Sequence, residues 1–167
     1  VTYFSRANDV TVTMDGVFDD GEAGEGDSVA ADIENAVLGG GDNTVLGSEN
    51  AANGLGNTVI GNNSYSGGTD SIAIGSYAWG VGKNATAVGN LSTANADYAT
   101  SHGAFANAYS FASTAIGTYS NAFGEFSDAI GAYAWAASDF ASAAGAYSHA
   151  LGKMSKADGA YSEARGD

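Results

Sequence analysis

Residues 113–120 read STAIGTYS, and residues 127–134 read SDAIGAYA. Their glycines, Gly117 and Gly131, belong to a series in which glycine recurs every 14 residues. The nine members of the series are Gly47, Gly61, Gly75, Gly89, Gly103, Gly117, Gly131, Gly145 and Gly159. A period kept over so many copies is the signature of a repeat architecture, in which stacked units share one continuous core.

A half-period of seven residues runs within each repeat, because the positions midway between these glycines hold only Gly, Ala or Ser. Three residues after every such position the side chain is Asn, Ser or Ala, and two residues later a second column of mostly Ala follows. Residues two apart in an extended chain point to the same side, so both columns are predicted to face inward. Among them, Asn43, Asn50 and Asn57 are predicted to hydrogen-bond along the stack.

Each half-repeat is interpreted as a turn followed by a short strand, with glycine supplying the unusual backbone angles of the turn. Two halves make a coil turn of 14 residues, which is too short for a third sheet. Turns stacked at ~4.8 Å each then predict an elongated all-β parallel solenoid. A coiled coil is excluded, because Gly and Ser at this density do not sustain a helix.

Composition excludes several classes of partner and site. The net charge is −14, with 19 acidic against 5 basic residues, which argues against nucleic acid or an anionic membrane surface as partner. There is no Cys, so disulfides and thiolate metal sites are excluded. The sequence predicts no cofactor.

Two columns of large side chains are predicted to point outward. The first, just before the 14-period glycines, contains Leu46, Ile60, Ile74, Val88, His102, Ile116 and Ile130. The second, two residues after those glycines, contains Tyr77, Leu91, Phe105, Tyr119, Tyr133, Tyr147 and Tyr161. Inward Ala and Ser bury too little apolar surface to offset the entropy lost in ordering a turn, so other chains are predicted to cover these columns. The alternative is that these columns belong to a capping structure or to a stack at the end of a sheet.

These stretches, together with residues 70–78, resemble the head repeat of YadA-type trimeric autotransporter adhesins, which has a small-x-Ala-Ile-Gly-x-x-Ser character. The resemblance covers about residues 35–166. It implies a left-handed parallel β-roll, a homotrimer around one axis, and display of a virulence-associated adhesin on a Gram-negative cell. The family's neck, coiled-coil stalk and outer-membrane anchor do not follow before Asp167. The chain is therefore interpreted as a head piece, or as a similar head carried by another fibre such as a phage tail protein.

The repeat divides the chain into an N-terminal acidic segment, residues 1–34, and the head repeats, residues 35–167. The acidic segment is predicted to cap the first turn, where an open sheet edge needs protection. Its Asp19, Asp20 and Glu22 are weak candidates for calcium ligands, because carboxylate oxygens suit that ion. A solvated acidic loop is the ordinary alternative.

Candidate site residues fall into two groups. The trimer interface is assigned to Ile60, Ile74, Val88, His102, Ile116, Ile130, Tyr119 and Tyr133. Ligand contact is assigned to Trp79, Trp135 and His149, which share an outward column, because aromatic side chains dominate binding hot spots. Burial of that column against a neighbouring subunit is the alternative.

Catalysis finds little support in the sequence. Glu125 and Asp139 lie one turn apart, near the carboxylate separation of retaining glycosidases. Surface charge at turn corners, with Lys153 as the next member of the column and an ion-pair partner, is the simpler interpretation. The sequence therefore predicts an adhesion module and not an enzyme. Its expected partner is an extracellular protein, a host cell or matrix, or an abiotic surface; the alternative is a structural fibre segment without a ligand of its own.

Overall fold

The computed structural model describes residues 43–166. The N-terminal acidic segment, with Asp19, Asp20 and Glu22, lies outside the described residues, so its capping and calcium-binding roles stay predictions. Between residues 43 and 166 the chain forms strands and turns without a helix, so this part contains no helix long and apolar enough to span a membrane.

The described residues form two parallel sheets of nine strands each, and consecutive strands along the chain alternate between them. Sheet one contains the three-residue strands β1 (Thr44–Leu46), β3 (Thr58–Ile60), β5 (Ile72–Ile74), β7 (Thr86–Val88), β9 (Thr100–His102), β11 (Thr114–Ile116), β13 (Asp128–Ile130), β15 (Ser142–Ala144) and β17 (Lys156–Asp158). Sheet two contains the two-residue strands β2 (Ala51–Ala52), β4 (Tyr65–Ser66), β6 (Trp79–Gly80), β8 (Thr93–Ala94), β10 (Asn107–Ala108), β12 (Asn121–Ala122), β14 (Trp135–Ala136), β16 (His149–Ala150) and β18 (Glu163–Ala164).

The register confirms the 14-residue period, since each residue pairs with the residue 14 positions away, as Ala115 does with Ala129. The corners continue the same ladder: Tyr119 N donates to Ala104 O at 3.0 Å. Residues 43–166 thus form an all-β parallel solenoid of about nine turns, as predicted. Backbone groups find partners in neighbouring turns, as buried amides and carbonyls must.

The core is a set of four inward columns of small side chains. In one turn these are Ser113, Ala115, Ser120 and Ala122, each with 0% of its surface exposed. The predicted inward columns are therefore confirmed. Large side chains are excluded because the two sheets of one turn lie too close together, so Val45 and Val59 are the largest buried apolar residues among those described.

Buried polar side chains form hydrogen bonds with the backbone at the corners of each turn. Ser120 Oγ donates to Gly117 O at 2.8 Å, and Ser127 Oγ donates to Gly124 O at 2.7 Å. In the first turns, asparagine side chains accept hydrogen bonds from the backbone of the next turn. Ser64 N donates to Asn50 Oδ1 and Ser71 N donates to Asn57 Oδ1, both at 3.0 Å. The predicted asparagine hydrogen bonding along the stack is confirmed, although in these bonds a backbone N–H donates to the asparagine side-chain oxygen.

The two corners of a turn differ in a way that the sequence interpretation missed. At the first corner Gly117 has φ +127° and Tyr119 has φ +59°. At the second corner the left-handed residue is Phe126, with φ 54°, and Gly124 has no positive φ. The expectation that each glycine supplies the unusual angles is wrong for the midway positions Gly54, Gly68, Gly82, Gly124 and Gly152, because the residue two places later has the left-handed angles there. Ala96, Ser110 and Ser138 accordingly fill equivalent slots.

Two buried hydroxyls among the described residues, Ser101 Oγ and Ser155 Oγ, have no hydrogen-bond partner, and the first leads to a testable prediction. Ser101 is fully buried in a column otherwise rich in Ala, and its Oγ has no hydrogen-bond partner. A buried hydroxyl without a partner costs about 1–3 kcal/mol. Ser101→Ala is therefore expected to raise the free energy of unfolding by about 1 kcal/mol or more in urea titrations. Ser113→Ala is the matched control: Ser113 Oγ donates to Ser110 O at 2.7 Å, so this change is expected to destabilise. A loss of stability in both variants would contradict the prediction.

Candidate assembly and ligand-binding surfaces

The column before the 14-period glycines lies on the outer face of sheet one. We call it the isoleucine column: Leu46, Ile60, Ile74, Val88, His102, Ile116 and Ile130. Leu46, Ile116 and Ile130 are exposed on the single chain, the last with 44% of its surface accessible, and Ile60, Ile74 and Val88 are half-buried. His102 is exposed and stands in register between Val88 and Ile116. The predicted outward direction is confirmed.

The corner that follows sheet one carries a stack of rings, which we call the tyrosine ladder: Phe105, Tyr119, Tyr133, Tyr147 and Tyr161. Successive ring centroids are 4.6, 5.0, 4.8 and 5.1 Å apart, and neighbouring planes are within 11° of parallel. The spacing is that of the coil turns, so the rings cover one another's faces and leave their edges outward. Tyr133 keeps 43% of its surface exposed.

A second aromatic surface was not identified from the sequence. It consists of Tyr98, Tyr109, Phe111, Phe123, Phe126 and Phe140, which lie at the end of the sheet-two strands and on the corner that follows. Tyr109 stacks on Phe123 with centroids 4.9 Å apart, and Phe126 stacks on Phe140 at 5.3 Å. The half-period indicates this surface, because Tyr98, Phe126 and Phe140 each lie seven residues from a member of the tyrosine ladder.

The three residues predicted to contact a ligand, Trp79, Trp135 and His149, lie in one outward column of sheet two, as expected, but they do not form one site. Trp135 pairs directly with His149, and its ring lies 5.0 Å from that of Phe123. Trp79 lies four turns away and contacts Tyr65 instead, with centroids 6.2 Å apart. The two Trp side chains are 49% and 40% exposed. The column therefore offers two separate aromatic contact points.

The Trp79 end of this column contains a recess of about 350 Å³. Its lining residues are Glu49, Ala51, Asn63, Ser64, Tyr65 and Trp79. Small Ala51 stands in register with Tyr65, which in turn pairs with Trp79. The space arises because a methyl group occupies the place that large rings take in the next two turns.

The carboxylate pair noted in the sequence, Glu125 and Asp139, lies at a corner, where Asp139 hydrogen-bonds the backbone. Asp139 Oδ1 accepts a hydrogen bond from the backbone N of Glu125 at 3.0 Å, and Asp97 does the same for Lys83 N at 2.8 Å. Lys153 was expected to pair with this column, and that expectation is wrong: the ion pairs within residues 43–166 join Lys156 to Asp158 and Arg165 to Glu163. The same residues contain no cluster of three or more side chains suited to a metal ion.

The fold and its surfaces define a class: a β-solenoid with 14-residue turns, two short-stranded sheets, a core of Ala and Ser, and apolar columns left uncovered on the single chain. The family model described as "YadA head domain repeat (2 copies)" matches residues 52–78, 81–106 and 108–134. Residues 52–134 therefore carry repeats of the YadA head domain, and the resemblance noted in the sequence is confirmed. This architecture is of a structural, adhesin kind and not of an enzymatic kind. Among curated proteins, no sequence matches this chain.

The solenoid extends beyond the matched residues. Strands β1 and β18 lie outside the match on either side, yet both pair with their neighbours in the same register. Residues 44–164 thus form one uninterrupted series of turns.

Proposed function

We propose that this chain forms the head of a homotrimeric adhesin, displayed on the outer surface of a bacterial cell and anchored in the outer membrane by another part of the full-length protein. The observation that carries the proposal is the pair of uncovered apolar surfaces on a solenoid built from YadA head repeats. Soluble monomers rarely expose such continuous apolar patches, which usually mark interaction sites.

Two different surfaces support a ring of identical chains, and the number three comes from the resemblance to trimeric heads. A closed ring of identical chains uses heterologous contacts, in which one patch of each chain meets a different patch of the next. The isoleucine column and the tyrosine ladder lie on sheet one and its following corner, and the second aromatic surface lies at the end of sheet two. The proposed interface residues are Ile60, Ile74, Val88, His102, Ile116, Ile130, Tyr119 and Tyr133.

Burial energies support assembly. A fully buried Ile or Phe contributes about 1.5–3 kcal/mol, whereas each inward Ala contributes far less. Among the described residues, the largest apolar side chains are thus outside the core of the single chain. Contact with two further copies would bury them and stabilise the turns from which they project.

The adhesive role is assigned to outward-facing groups of sheet two: the exposed Trp79 and Trp135 and the half-buried His149. Their partner is an extracellular protein, a host cell or matrix, or an abiotic surface. A rigid row of strands holds both Trp side chains at fixed positions, which lowers the entropy lost on binding.

The role can be tested by displaying the head on bacteria that lack other adhesins and measuring attachment to matrix proteins, cultured cells and polystyrene. We expect attachment above that of a display carrier without the head. A Trp79→Thr/Trp135→Thr variant, which uses the residue found in this column at Thr93, is expected to attach several-fold less while keeping the oligomeric state. Attachment no greater than that of the bare carrier on every substrate would favour a structural fibre segment instead.

A further inference from the structure

The recess beside Trp79 combines two rings with an acidic group. The Tyr65 and Trp79 planes are inclined at 62°, so both rings border the same space. Asn53 Nδ2 donates to the Tyr65 hydroxyl at 3.2 Å, which holds the phenol in place. Trp79 is half-exposed, so its ring is accessible to a ligand.

The acidic group is Glu49, which occupies the left-handed position of the first corner with φ 55°. Asn63 Nδ2 donates to Glu49 Oε2 at 3.1 Å and so orients the carboxylate. This partner is neutral, and neither of the ion pairs within residues 43–166 involves Glu49. The recess therefore contains a negative charge that no described basic side chain neutralises.

We propose that this recess binds an organic cation, specifically a quaternary or methylated ammonium group. Aromatic faces attract such cations through the ring quadrupole, and a neighbouring carboxylate adds direct charge attraction. The chain's net charge of −14 draws cations toward it in addition. A neutral sugar would stack on the rings and hydrogen-bond the carboxylate, but it would leave the negative charge of Glu49 unneutralised. The site specifies a ligand chemistry for the adhesive head and rests on that proposed function for its biological setting.

The site can be tested by fluorescence in a Trp135→Phe background, where Trp79 is the remaining Trp. Tetramethylammonium chloride is the probe, sodium chloride controls for ionic strength, and 3,3-dimethylbutan-1-ol is the neutral probe of matching shape. We expect a saturable change in Trp79 emission with tetramethylammonium alone. Glu49→Gln is expected to weaken binding about tenfold, the scale of a partly exposed cation–aromatic site that loses its charge partner.

Glu125→Gln is the matched control, because it removes the same charge from an exposed corner remote from the recess and should leave binding unchanged. Calorimetric titration of Trp79→Thr, which preserves the column, is expected to show loss of binding. The cation site would be overturned if both Glu→Gln changes weakened binding equally, or if sodium chloride gave the same fluorescence response as tetramethylammonium. Saturable binding of methyl glucoside without a response to tetramethylammonium would overturn it as well. The adhesive role is tested independently, by the attachment assay with the double Trp variant. If bacteria displaying Glu49→Gln still attached, the adhesive role would stand even if the cation site did not.

Discussion

Ala129→Leu is expected to lower the melting temperature of the head by about 10 °C or more, whereas Thr118→Leu is expected to shift it by only a few degrees. Ala129 is fully buried, and its neighbours in the column, Ala115 and Ala143, are buried as well. The three carbons that leucine adds to Ala129 would overlap the neighbouring buried side chains. Relaxation along the stack is blocked because the next turns lie only ~4.8 Å away on either side.

Thr118 is the appropriate control because it adds the same side chain at an exposed corner between Gly117 and Tyr119. Melting followed by circular dichroism at one protein concentration compares the two variants directly. Equal melting temperatures would overturn the assignment of the inward columns, on which the description of the core depends.

Gly117→Ala is expected to cost about 4 kcal/mol of unfolding free energy, from two causes acting together. Its φ of +127° belongs to a region that residues with a side chain rarely adopt, which costs about 1–3 kcal/mol. A Cβ there would also lie 2.5 Å from Gly131 O in the next turn. Separating the turns to relieve that overlap would weaken the ladder, in the manner of an overpacked core.

Gly159→Ala separates these two causes. Gly159 occupies the equivalent corner of the last turn, with φ +109°, but an added Cβ would meet nothing within 4 Å. This variant is therefore expected to lose only about 1–3 kcal/mol, from backbone strain alone. Urea titrations of both variants measure the difference. If Gly159→Ala lost as much as Gly117→Ala, close approach between turns would not explain why glycine recurs every 14 residues.

The period could be predicted from sequence because every turn repeats the same geometric demands. Ala115, Ala129 and Ala143 recur at one position since each meets the facing sheet at the same close distance. The outward direction of Ile116 and Ile130 followed from their alternation with these alanines. Regular alternation within stacked strands thus determines most of the fold.

The corners were harder to predict. Bulky residues such as Tyr119 and Phe126 rarely adopt left-handed angles, so nothing in their chemistry indicated these positions. The second aromatic surface was also difficult to predict, because its residues follow the seven-residue half-period, which is less regular than the 14-residue period. The Trp79 recess depends on the single small residue Ala51 below two large rings, a local departure that a repeat pattern does not reveal.

In the proposed assembly, three chains cover one another's apolar columns. Sedimentation equilibrium of the purified head at micromolar concentration tests this arrangement. We expect a single folded species with three times the 16.6 kDa mass of one chain. A folded, stable species of 16.6 kDa at that concentration would contradict it, because the isoleucine column and both aromatic surfaces would then be stable in water without a partner.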